Sequence, residues 1–187
     1  MGITAVTGVN FSLFFGECPV AQAINLKKSL KTVEFFQEAG LEVIPHIYFT
    51  HSNHLHRWTE WLKKNKIRVI AINCQFSRDH EMAPVIANGI KFLNDNVGYQ
   101  MSFLLEGPSR FLLRKLRNID CLSSVRVAMK GPSLDARFGQ SYIIDNDDKL
   151  AKISIQNATI EEVLSSNLKV FRNYIGNLIG NNNPYTH

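Results

Sequence analysis

The sequence is poor in cysteine. The three it has, Cys18, Cys74 and Cys121, are odd in number and far apart. That argues against the disulfide framework of small secreted domains, and no pair has the close spacing of a zinc half-site. Each is expected to be a small core residue in a reducing compartment. No apolar run approaches the roughly 20 residues that span a bilayer. The opening MGITAVTGVN lacks the basic-then-apolar pattern of a secretory signal. Gly2 begins a myristoylation pattern, but Val6 stands where Ser or Thr is required. The chain therefore reads as cytoplasmic, with no membrane partner. There is no GxGxxG, no phosphate-binding loop and no GxSxG elbow. Cofactor binding by those routes is not expected, and no cofactor is assigned.

With 45% hydrophobic and 20% charged residues among 187, the chain has the composition of one globular domain. We place it at residues 1–180, with a polar tail at 181–187. The patterning alternates. Apolar stretches suited to strands lie at 3–15, 41–49, 67–76, 99–107 and 123–131, with ends near Phe15, Thr50, Phe76, Glu106 and Lys130. Helical periodicity occupies 23–39, 52–65, 82–97 and 109–119. Gly40 and Gly98 are placed as stops, and Ser52 or Asn53 as a cap. Two short strands, SYIID and KISIQ, flank the turn DNDDK, and a last helix covers 159–179.

Strands of continuous hydrophobicity are covered on both faces, which is the mark of a parallel sheet in an α/β fold. The spacing admits a TIM-like (β/α) barrel or a doubly wound open sheet. A complete barrel usually needs more than about 200 residues. The expected fold is thus a set of parallel (β/α) repeats, TIM-barrel-like and possibly only part of a barrel. Pro45 donates no hydrogen bond and should mark a bulge or edge in the second strand.

Sites in both architectures gather at the carboxyl ends of strands. His46, Tyr48 and Thr50 share a face there. Asn10 and Ser12 share a face of the first strand, and Asn73 and Gln75 a face of the third, where buried amides need partners. Glu106 ends the fourth strand before Gly107-Pro108-Ser109, and Lys130 the fifth before Gly131-Pro132-Ser133. In each, glycine allows a tight turn and serine can cap the next helix. Glu106 and Lys130 could pair, or hold a polar substrate between them. His51, His54 and His56 follow on the loop and helix without an acid at metal-ligand spacing, so no metal is expected. Between Arg110 and Arg137 seven basic residues face two acids, matching the whole-chain excess of +5. Such a surface attracts phosphates, the alternative being a solvated helix face.

Several stretches, VNFSLFFGECP, INLKKSL, GLEVIPHIYFTHSNHLHRWTEWLKK, IRVIAINCQFS and NVGYQMSFLLEG, together resemble proteins related to the tRNA-guanine transglycosylases. The branch suggested is the one in bacterial and phage gene clusters that insert 7-deazaguanine bases into DNA. An uncharacterised family of mobile-element proteins shares the NFSL…P…N and G-VIP pattern. The resemblance covers about residues 8 to 107. It implies a TIM-type barrel that exchanges a nucleobase through attack of an aspartate at the glycosidic carbon. The family's zinc site of three cysteines and a histidine is not matched by Cys18, Cys74 and Cys121. The acid in a suitable loop is Asp79, just after NCQFSR.

One expected function is therefore base modification in DNA or tRNA, with Asp79 and Glu106 catalytic. Asn10, Ser12, His46, Tyr48, Asn73, Gln75, Gly107 and Lys130 would bind the base, and Arg110, Arg114 and Lys115 the phosphates. The alternatives are a non-catalytic nucleic-acid-binding subunit, with a protein partner or as a homo-oligomer, and an unrelated small-molecule barrel enzyme.

Overall fold

The structure, a computed structural model, describes residues 5–9, 11, 16–75, 81–119 and 125–180. Strands β1 (Ala5–Thr7), β2 (Glu42–Ile44), β3 (Val69–Asn73), β4 (Ser102–Glu106) and β5 (Val125–Ala128) alternate with α1 (Pro19–Glu38), α2 (Ser52–Asn65), α3 (Met82–Val97) and α4 (Arg110–Leu116). Then come α5 (Gly131–Arg137), β6 (Gln140–Ile144), β7 (Leu150–Ser154) and α6 (Ile160–Ile179).

β1 pairs with β2, β3 with β4, and β4 with β5, all parallel. Between β2 and β3 the ladder is reduced by Pro45, whose nitrogen carries no hydrogen. Its carbonyl still accepts from the Ala71 N–H at 2.9 Å, and the Ile47 N–H donates to the Ala71 carbonyl at 2.9 Å. His46 is bridged to Ala71 in parallel. The five strands therefore run in one direction and in chain order, unlike a doubly wound sheet, whose order reverses at a switch point. Parallel α/β repeats are what the chain forms. A closed TIM barrel is not: after β5 comes an antiparallel β6–β7 hairpin, and the described strands close no ring.

The expectation that both sheet faces are covered holds for β3, where Ile70, Ala71 and Ile72 are all buried, and only in part for β4. In β4, Phe103 and Leu105 are fully buried, while Ser102, Leu104 and Glu106 are half-buried. Helices cover the first face. Ile70, Ile72, Phe103 and Leu105 pack with Trp58 and Leu62 of α2, Ile86, Ile90 and Leu93 of α3, and Leu112 and Leu116 of α4. Each such side chain contributes about 1.5–3 kcal/mol by leaving water. Among the described residues the second face is only partly covered, and the polar side chains stand on it.

The helix boundaries show where local signals acted. α3 spans the expected residues and ends on Gly98 in the left-handed region (φ 85°). α1 begins four residues before the periodicity, because Pro19 suits a first helical position where no N–H is needed. α2 is preceded by His51 with no side-chain cap, so Ser52 and Asn53 lie inside the helix. Ser109 caps α4 by accepting from the Leu112 N–H at 3.2 Å. Ser133, expected to do the same, lies inside α5. Thr159 and Glu162 form a reciprocal capping box at α6. Of the cysteines, Cys74 is buried as expected, Cys18 is exposed, and Cys121 lies outside the described residues.

The carboxyl-terminal part is tied together by polar contacts. Asn167 of α6 is fully buried. Its Oδ1 accepts from the Tyr142 N–H at 2.7 Å, and its Nδ2 donates to the carbonyls of Gln140 at 2.9 Å and Pro132 at 3.3 Å. Beside it, Tyr142 Oη and Lys152 Nζ donate to the two oxygens of Asp135, at 2.5 and 2.8 Å.

Candidate functional site

In a parallel sheet, residues in register share a face. One row on the partly covered face is His46, Ala71, Leu104 and Arg126. Two residues nearer the carboxyl ends the alternation puts Tyr48, Asn73, Glu106 and Ala128 in the next row. The sheet thus aligns four of the expected site residues on one side: His46, Tyr48, Asn73 and Glu106.

Their centre is a histidine–carboxylate pair. His46 Nε2 lies 3.3 Å from Glu106 Oε1, with the histidine side chain buried and the glutamate side chain 31% exposed. Burial pushes the His46 pKa below its ordinary value, and the charge and hydrogen bond of Glu106 offset this only in part. A neutral imidazole that donates Nε2–H to the carboxylate keeps its lone pair on Nδ1. That Nδ1 is buried and has no hydrogen-bond partner among the described residues. The ring is stacked against Tyr48 with centroids 6.2 Å apart. The Tyr48 carbonyl accepts from Trp58 Nε1 at 2.7 Å, which ties this strand end to α2.

The neighbouring groups can be placed as well. Asn73 Oδ1 accepts from the Gln75 N–H at 2.9 Å, so its carbonyl is engaged by its own backbone and its NH2 is the end it offers outward. Gln75 is exposed beyond it. The Cys74 N–H donates to the Glu106 carbonyl at 2.8 Å. Burial, and then the Glu106 charge, push the Cys74 thiol up and keep it protonated. Gly107 sits at φ 62°, and its N–H donates to the Ala128 carbonyl at 2.9 Å. Glu106 is therefore held between β3 and β5 by backbone as well as by His46.

Other expected residues fall elsewhere. The side chain that meets Glu106 is His46, while Lys130 is exposed just before α5. Arg110 opens α4 with its guanidinium 5.4 Å from the Phe111 ring centroid. Arg114 lines a different cleft, of about 390 Å³, with Arg117, Ile144, Asp148 and Tyr174. Lys115 is exposed in the last turn of α4. Arg110 and Arg114 stand one helical turn apart on α4, and Lys115 follows Arg114. Asn10, Ser12 and Asp79 lie outside the described residues.

The remaining histidines separate. His56 meets the edge of Phe92 at 5.0 Å. The rings of His51 and His54 touch, with centroids 3.7 Å apart. His54 Nδ1 lies 3.4 Å from both the N and the Oγ1 of Thr50. Together with Lys27 and Arg57 this pair lines a cleft between α1 and α2. Sequence reasoning did not assemble it, although His51, His54 and Arg57 recur every three residues. No group of three His, Cys, Asp or Glu among the described residues could hold a metal.

Burial, and then the charges of His51 and Arg57, lower the His54 pKa from 6.5 to about 4. The unfolded chain therefore binds the extra proton across that window. Stability from this group is full above pH 6.5 and is lost as the pH falls toward 4. The urea midpoint of the wild type should drop between pH 7 and pH 5, and that of His54→Gln should drop by less. Equal drops would exclude His54 as a source of the acid sensitivity.

Comparison with known protein families, curated proteins and solved structures finds no match to this chain. None of these comparisons bears on the transglycosylase resemblance. Among the described residues no helix is long and apolar enough to cross a membrane.

Proposed function

We propose that the protein holds a guanine-type base at the carboxyl-end mouth of an open, partial (β/α) barrel, and exchanges or binds that base in nucleic acid. The observation that carries this reading is the in-register pair Asn73 and Glu106, with Glu106 fixed by buried His46 at 3.3 Å. The chain-ordered parallel strands support the partial-barrel part of it.

Guanine's Watson–Crick edge offers two adjacent N–H donors, which match the two oxygens of one carboxylate. Glu106 can accept both while still accepting from His46, since each carboxylate oxygen has two lone pairs. The NH2 of Asn73 suits the neighbouring carbonyl of the base. Adenine lacks the paired donors and is disfavoured at the same place. Proteins that act on a base in a polymer take it out of the stack and read this edge.

Exchange needs a carboxylate nucleophile and no cofactor. The carboxylate oxygen bonds to the glycosidic carbon as the carbon–nitrogen bond breaks, and the old base leaves with that electron pair and takes up a proton. The incoming base then displaces the carboxylate and loses a proton. We assign the nucleophile to Asp79 on the resemblance, and the base-edge contact to Glu106. Incubation with labelled guanine and either tRNA or DNA should put label into one polymer, and Asp79→Ala and Glu106→Gln should each abolish it. Salt-sensitive polymer binding without label would make the protein a binder only. Neither label nor binding would refute the proposal.

A further inference from the structure

We infer that the cleft between the amino-terminal halves of α1 and α2 is a nucleotide site that takes the phosphate on Lys27 and Arg57. The cleft has a volume of about 470 Å³. That is more than a lone phosphate needs and lies within the range of small-molecule pockets. Lys27 of α1 and Arg57 of α2 line it from its two helices, together with His51 and buried His54, and among the described residues no Asp or Glu lines it. Among the described residues neither Lys27 nor Arg57 makes an ion pair. Two uncompensated cations over a cleft attract an anion.

The α1 wall on the amino-terminal side of Lys27 gives the ligand its second property. Val20 and Ile24 are one helical turn apart on α1, and they are 65% and 50% exposed. They form an apolar ledge on which a flat ring can lie. A cationic end beside an apolar ledge suits a phosphate joined to a ring system, as in a nucleotide. The first turns beside the cleft have no side-chain cap, in contrast to α4 and α6. The cleft lies toward the carboxyl ends of the strands, because β2 leads through His51 into α2. The inference goes beyond the reading of the mouth and does not use His46 or Glu106.

The test is calorimetric titration of the full chain with adenosine 5′-monophosphate, adenosine and inorganic phosphate at low salt, adenine being the base that the mouth disfavours. The nucleotide should bind at least about tenfold tighter than either fragment, the worth of one charge-assisted contact. Lys27→Met and Arg57→Met should each weaken it by about tenfold with thermal unfolding unchanged, and Glu106→Gln should leave it intact. A single-stranded oligonucleotide that binds tighter than the mononucleotide assigns the site to a strand, and equal binding assigns it to a free nucleotide. Either result supports the site. Adenosine or inorganic phosphate binding as tightly as the nucleotide would overturn it. So would unchanged affinity in the double variant, or loss of nucleotide binding in Glu106→Gln.

Discussion

Replacing Asn167 by alanine should cost about 3 kcal/mol, from three lost hydrogen bonds whose buried partners keep no substitute. The amide joins three pieces of chain: β6 through Tyr142 and Gln140, the start of α5 through Pro132, and its own helix α6. Water cannot replace it easily, since Asn167 is fully buried and Tyr142 nearly so. For a chain of this size each kcal/mol moves the melting temperature by about 2–4 °C, so a fall of about 6–12 °C is expected. A loss below about 1 kcal/mol would mean that the hairpin and α6 are held by apolar packing alone. The neighbouring Asp135 gives a comparison. Burial raises its carboxyl pKa, but the hydrogen bonds and charge of Lys152 and Tyr142 outweigh this and hold it below the usual range.

Gly89→Ala should destabilise by about 2 kcal/mol, in the range for an overpacked contact. The sign is what makes this prediction useful. At an open mid-helix position the same change would stabilise by up to about 1 kcal/mol. Gly89 is buried in α3, and a methyl group there would run into the Phe49 ring. Phe49 leaves the second strand on the helix side and packs on the main core. Phe49→Leu should therefore recover much of the loss in the double variant, with a coupling of at least about 1 kcal/mol measured by urea unfolding. Additive effects would show that the ring moves aside at no cost.

Much of this architecture can be read from the chain. The order of strands and helices follows from apolar runs and their punctuation, and α3 lies where its spacing of Met82, Ile86, Ile90, Leu93 and Val97 put it. Pro45 announces the interruption between β2 and β3 because a missing donor acts locally. The two-sided burial of the strands is not readable in the same way. Leu104 is as apolar as Leu105, and only the pleat and the one-sided helix layer decide that it is half-buried. α1 misleads for a related reason. Gln22 and Ser29 are buried on it, while Val20, Ile24 and Phe35 are exposed. Its environment is set by neighbours and not by its own periodicity.

The candidate site divides along the same line. Asn73 and Glu106 are legible as strand-end polar residues, and the sheet register puts them side by side. The partner of Glu106 was not legible. Lys130 is the nearer candidate in charge, yet His46, two strands away on the other side, makes the contact. The Lys27 and Arg57 cleft needs two helices from different repeats to meet, which no single stretch records.

The most direct measurement on the mouth is binding of free guanine and adenine to the wild type and to Glu106→Gln, read as shifts in melting temperature. Guanine should raise it, adenine should not, and Glu106→Gln, which gives up one acceptor oxygen for an NH2, should lose the guanine shift while melting near the wild-type temperature. An equal shift with both bases, or a guanine shift that survives in Glu106→Gln, would contradict the account.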